Sequence, residues 1–114
     1  MAHQINVREA EGTWVVRAGG AVLGESKRAL ELSEDNYPAR IYFPQGDIAM
    51  DLLDSSDKTT TCPFKGEASY FSIVTKSTTI KDAAWSYVAP IDDAARIAGH
   101  LCFYEGDQVT IEQL

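Results

Sequence analysis

The 114-residue chain is poor in the residues that anchor most recognisable sites. It has two cysteines, Cys62 and Cys102, and two histidines, His3 and His100. These four show no close-paired ligand spacing, so no metal is expected. Two cysteines also suit a reducing cytosol, where both would stay free thiols. Basic residues are scarce: 10 Lys and Arg stand against 17 Asp and Glu, a formal net charge of -7. A surface of that sign repels phosphate backbones and anionic lipid, so neither nucleic acid nor membrane is expected as a partner. No apolar run reaches the length of a membrane span, and residues 1–6 lack the basic-then-apolar layout of a signal peptide. Glycine-rich phosphate cradles, a Gly-x-Gly-x-x-Gly fingerprint and a nucleophile elbow are missing too, and no cofactor is expected.

What is present is enough apolar material, 45% of residues, for one modest core, and a single domain over 1–114 is expected. Short segments alternate apolar and polar residues with period two between turn residues, which predicts a mainly β, antiparallel domain of seven to nine strands. Residues 4–9, 13–18 and 21–26 read as strands, the last two joined by a hairpin turn at Gly19-Gly20. Residues 27–32 read as helix or strand, with a strand continuing from the hairpin favoured, 34–38 as a loop stopped by Pro38, and 40–43 as a short strand ended by Pro44. Asp47 is placed to cap one helical turn near 47–50, with a polar loop over 51–58. Along 68–75, Ala68, Tyr70, Ser72 and Val74 share one face, and Ser69, Phe71, Ile73 and Thr75 the other. Residues 78–82 and 84–88 follow as two stretches. Pro90, Asp92, Asp93 and Gly99 carry start and stop signals for a helix near 90–98. Residues 100–104 and 108–112 read as a final hairpin.

The chemistry concentrates in Thr61-Cys62-Pro63-Phe64-Lys65-Gly66 and in Trp85-Ser86-Tyr87. Cys62 reads either as a reactive thiol, assisted by Lys65 and by His100, or as a buried cysteine behind a tight turn. Lys65 reads either as a cleft cation meeting an anionic ligand or as a solvated loop lysine. Tyr70, Trp85 and Tyr87 read either as the floor of a ring-binding cleft or as an aromatic core layer. Tyr42 and Phe43 read as core. Asp47, Asp51 and Asp54 would share a face only on a helix, and read as a cap and solvated carboxylates.

Three segments in this order, Tyr42-Phe43-Pro44-x-x-Asp47, Thr61 to Tyr70 with its Cys-Pro-Phe-Lys-Gly element, and Ala84-Trp85-Ser86-Tyr87-x-x-Pro90, resemble the family called domain of unknown function 427. The resemblance runs from about Val15 to Tyr104. That family also carries a nucleotidyltransferase-like label, which no motif here supports as a reaction. The resemblance implies an Mss4-like or β-tent arrangement, two antiparallel sheets meeting at an angle around a groove. Zinc knuckles found in relatives of that broader fold are absent here, and Gln45 and Gly46 replace the family's frequent basic residues.

Three functions follow as expectations. The first is a module binding a small anionic or ring-bearing metabolite through Lys65, Arg40, Tyr70, Trp85 and Tyr87. The second is an enzyme using Cys62 or His100 with Lys65. The third is an interaction protein, monomer or homodimer, pairing through an exposed edge strand.

Overall fold

Alternating β-rich segments fold into ten strands among residues 4–114, which the computed structural model describes. His3 lies outside the described residues. The strands are β1 (Ile5–Glu9), β2 (Trp14–Ala18), β3 (Ala21–Ser26), β4 (Leu30–Glu34) and β5 (Arg40–Tyr42), then β6 (Leu53–Cys62), β7 (Gly66–Val74), β8 (Thr79–Tyr87), β9 (Leu101–Phe103) and β10 (Val109–Gln113). The class is mainly β and antiparallel. Where two sheets were expected, the hydrogen-bonded ladders make three: β1-β4-β5, β10-β2-β3 and β6-β7-β8-β9. Isolated bridges stitch them together. Phe43 and Leu101 exchange both backbone hydrogen bonds at 2.8 Å, joining β5 to β9. Gly24 pairs with Ile48, so closely that a Cβ there would come within 2.5 Å of the Asp47 carbonyl oxygen.

The bridged β5 and β9, with β8, divide the interior in two. Ile41, Phe43, Leu101, Phe103 and Ala84 face one apolar cluster, with Val16, Leu23 and Ile73. Tyr42, Cys102, Trp85 and Tyr87 face the other, with Leu30, Leu32, Ala68, Tyr70, Ala94 and Ile97. The alternation read in 68–75 holds: Ala68 and Tyr70 enter the second cluster, Ile73 the first. Strands buried on both faces need this many apolar residues, which explains why Leu101, Cys102 and Phe103 are all buried.

Several boundaries differ from the sequence reading. Residues 53–62, expected partly as loop, form the outer strand β6, which is exposed along most of its length and so shows no apolar alternation. Residues 79–87 are one strand, kinked at Asp82 (φ 51°), rather than two stretches. The final hairpin does not form. β9 pairs with β8 and β10 with β2, because burial of the two segments in different places outweighs the local turn. The helix near 90–98 is a 3-10 helix over Asp92–Ile97, whose first residue has φ 48° and whose buried Ala94 and Ile97 stand three apart. Two 3-10 turns, Gln45–Asp47 and Met50–Leu52, flank the bridging Ile48. Asp47 does not cap either one. Its carboxylate accepts from Ser26 Oγ at 2.7 Å and from Arg28 Nη2 at 3.2 Å. Those bonds hold its pKa below the ordinary 3.8, Ser26 contributing most.

Candidate functional site

The Cys-Pro-Phe-Lys-Gly element is a hairpin turn between β6 and β7. Cys62 pairs with Gly66, and the Lys65 N–H donates to the Cys62 carbonyl at 3.3 Å, with Pro63 at the second position where its fixed φ suits a turn. Gly66 takes φ 109°, a conformation that L side chains rarely adopt. The Lys65 carbonyl accepts from the Ile91 N–H at 3.1 Å, tying the turn to the segment after β8. Lys65 is thereby turned inward and is buried, with Nζ donating to Glu34 Oε1 at 2.7 Å. It is not a solvated loop lysine.

Glu34 ends β4, and the chain then turns through Asn36 (φ 66°), with the Tyr37 N–H on the Glu34 carbonyl at 3.3 Å. That loop delivers Arg40 to the start of β5. From the opposite sheet, Tyr70 on β7 stands directly across from Trp85 on β8, and Ala68 across from Tyr87. The Tyr70 and Trp85 ring centroids are 6.3 Å apart. Tyr104, just past β9, closes on Trp85 at 4.4 Å. The Arg40 guanidinium lies over both rings, 5.3 Å from the Trp85 centroid and 6.0 Å from that of Tyr104.

These groups border one open cleft of about 190 Å³ between the β4–β5 side and the β7–β8 side. Arg40, Lys65, Tyr70, Trp85 and Tyr87 all line it, joined by Glu34, Tyr37, Tyr42 and Tyr104. The aromatic core layer is what forms, and its members also line the cleft. Tyr70, Trp85 and Tyr87 are buried core residues that keep one edge on the cleft. Trp85 Nε1 donates to the Tyr42 hydroxyl at 3.3 Å, and Thr60 Oγ1 shares a hydrogen bond with the Tyr70 hydroxyl at 3.0 Å. Sequence reasoning missed Glu34 and Tyr104. Each is an ordinary polar-edge residue at a strand end, and only the sheet-to-sheet bridge brings it to the cleft.

Charge in the cleft runs opposite to that of the whole chain. Burial, foremost, pushes Tyr42 and Tyr87 well above the ordinary phenol value of 10.0, and pushes Tyr104 up to about 12. The phenols are therefore neutral at pH 7, which leaves Arg40 and Lys65 against Glu34, a net charge of +1. Lys65 is matched by Glu34. Among the described residues no ion pair or hydrogen bond engages the Arg40 guanidinium beyond its two rings.

Cys62 and His100 stand apart from this arrangement. Cys62 is half-buried at the end of β6, packed beside the second apolar cluster, and does not line the cleft. His100 follows the last 3-10 helix, with Nδ1 3.1 Å from the Ala98 carbonyl oxygen, and also does not line the cleft. Asp51 and Asp54 share no helix with Asp47. Among the described residues no group of three or more His, Cys, Asp or Glu is placed to hold a metal ion, and no helix is long and apolar enough to cross a membrane.

The pattern of domain of unknown function 427 matches residues 6–113. The chain belongs to that family. No curated protein matches it. All three segments of the family resemblance contribute to the cleft region: Tyr42 from the first, Lys65 and Tyr70 from the second, Trp85 and Tyr87 from the third.

Proposed function

We propose that this member of the family binds a compact, ring-bearing anion in the cleft, with the ring against the Trp85–Tyr104 pair and the anionic group on the in-plane N–H edge of Arg40. The observation that carries this reading is the Arg40 guanidinium itself. It lies over two rings at 5.3 and 6.0 Å and has no carboxylate partner among the described residues, in a chain of net charge -7. A guanidinium set over aromatic rings with no carboxylate partner has N–H donors to offer a planar carboxylate, the geometry it matches bidentately. Lys65 acts through Glu34, holding the far wall. At about 190 Å³ the cleft is smaller than the roughly 300–1,000 Å³ of drug-sized sites, which favours a single ring bearing one charge. Binding without chemistry is preferred over catalysis because neither Cys62 nor His100 lines the cleft. The same reading takes the bridged sheets as a β-tent arrangement and the cytosol as the working compartment, since both thiols are free.

Benzoate, 4-hydroxybenzoate and nicotinate serve as probes, with benzyl alcohol as the neutral control. Trp14→Phe leaves Trp85 as the only indole, so its fluorescence reports the cleft. Saturable quenching by the acids, at least about tenfold weaker for benzyl alcohol and for the Arg40→Met variant, is the expected result. Equal binding of benzyl alcohol, or no change with Arg40→Met, removes the anion site.

A further inference from the structure

All five tyrosines of the chain line the cleft, and four of their hydroxyls are accounted for. The Tyr42 hydroxyl accepts from Trp85 Nε1, and that of Tyr70 shares a hydrogen bond with Thr60 Oγ1. Tyr37 and Tyr104 are exposed and meet water. Tyr87 is different. It is only 6% exposed, and among the described residues no hydrogen bond engages its hydroxyl. Among the same residues no fully buried side-chain polar atom lacks a partner, so this oxygen keeps contact with the cleft that it lines. Burial raises the Tyr87 pKa and keeps the phenol neutral at pH 7, so it can accept as well as donate. A phenol held there without a protein partner is a hydrogen-bonding group open to a ligand.

Lys65 adds donors at the same end of the cleft. Its ammonium carries three N–H groups, and among the described residues Glu34 Oε1 is its one acceptor, at 2.7 Å. Two donors remain. Tyr87 stands opposite Ala68, where β7 leaves the turn that carries Lys65. Trp85, with Arg40 and Tyr104 against it, stands one two-residue step back along β8. The facing wall has the same step, since Glu34 lies two residues past Leu32, the strand partner of Arg40. Two residues of a strand span about 6.6 Å, close to the distance across a benzene ring from a carboxylate to a para oxygen.

Resting on the cleft reading above, we infer that the ring-bearing anion carries a hydroxyl opposite its carboxylate, which makes it a para-hydroxylated aromatic acid. With the carboxylate on Arg40, the para oxygen accepts from Lys65 Nζ and donates to the Tyr87 oxygen. A carbonyl or an ether could only accept, and a methyl group could do neither, whereas a hydroxyl satisfies both partners. A charge-assisted hydrogen bond in so withdrawn a place contributes enough for a preference of about tenfold or more. Arg40 then separates acids from neutral rings, and Lys65 and Tyr87 choose among the acids.

Isothermal titration of the full chain with 4-hydroxybenzoate, benzoate, 4-methylbenzoate and 3-hydroxybenzoate tests this. The first is expected to bind at least about tenfold more tightly than the other three. The methyl compound fills the same space without a hydroxyl, and 3-hydroxybenzoate carries one off the axis. Tyr87→Phe, which removes a single oxygen, narrows the gap between 4-hydroxybenzoate and benzoate to within about threefold. Benzoate or 3-hydroxybenzoate binding as tightly as 4-hydroxybenzoate overturns the inference while the cleft reading stands. A gap that Tyr87→Phe leaves unchanged overturns it too. If none of the four acids binds, the cleft reading itself fails and the para-hydroxyl preference falls with it.

Discussion

At the scale of single residues, the buried Lys65–Glu34 pair is the most exacting feature of the cleft. Both side chains are largely withdrawn from water, at 10% and 14% exposure, and meet at 2.7 Å. Desolvating two ions is offset only while both are present. Lys65→Met is expected to cost roughly 3 kcal/mol by removing a buried ammonium from the Glu34 carboxylate, and Glu34→Leu to cost a comparable amount. The double variant Lys65→Met/Glu34→Leu should then cost less than the sum of the two single ones, because the 2.7 Å pair is lost only once. Urea unfolding of the four proteins gives the coupling. The acid side depends on a different residue. Asp47 is held below its ordinary value by Ser26 and Arg28, so its contribution is present above 3.8 and is lost as pH falls through its folded value. Asp47→Asn should flatten the acid limb of the stability profile without changing the neutral plateau's shape.

At the scale of elements, the ladders of the four-stranded sheet slip in register at two places. The β6–β7 register shifts between Ser55 and Thr59, and the β7–β8 register between Phe71 and Ile73. Ser56, Ser72 and Asp82 meet at this place. The Asp82 N–H donates to Ser72 Oγ at 3.1 Å, and the Asp82 carboxylate accepts a hydrogen bond from Ser56 Oγ. Asp82 also holds φ 51°, which Asn and Asp tolerate better than most residues. A bulge that turns outer strands about a central one is a built feature, and Asp82 fixes it. Asp82→Ala should cost about 1–3 kcal/mol, from strained backbone and lost hydrogen bonds together. Asp82→Asn should recover most of that, and Asp82→Gly should recover only the backbone part. Denaturant midpoints of the three variants decide between these contributions.

At the scale of the whole molecule, two apolar clusters lie on either side of the β5–β9–β8 partition, and the second one buries its ionisable groups neutral. Cys102 rises from 9.0 to about 12, while Tyr42 and Tyr87 rise well above 10.0. For such groups the stabilisation is whole below the unfolded value and is lost as pH rises through the folded one. Stability should hold up to pH 9.0 and then fall steeply towards pH 12, with the phenolate absorbance of Tyr42 and Tyr87 appearing only as the chain unfolds.

The partition also explains what could and could not be read from the sequence. The alternation of Ala68 and Tyr70 against Phe71 and Ile73 was legible because each face of β7 enters a different core. So was the Gly19-Gly20 hairpin, whose turn chemistry is local. β6 was not legible as one strand, since an exposed outer strand of Asp, Ser, Thr and Lys pairs through backbone alone. Nor was the separation of β9 from β10, which depends on partners far along the chain. Lys65, Tyr70, Trp85 and Tyr87 could be named in advance because aromatic and cationic residues cluster in two segments, and Arg40 was named from outside both. Glu34 and Tyr104 could not, because the Phe43–Leu101 bridge that brings their strands together leaves no local signal.

The most direct measurement is a two-dimensional NMR titration with 4-hydroxybenzoate, following the Trp85 indole N–H and the Arg40 guanidinium resonances. The account predicts saturable shifts at both, with the same dissociation constant, and smaller ones at Tyr104 and Tyr87. Shifts scattered over the outer surface, or a silent Arg40 beside a responding Trp85, would contradict it.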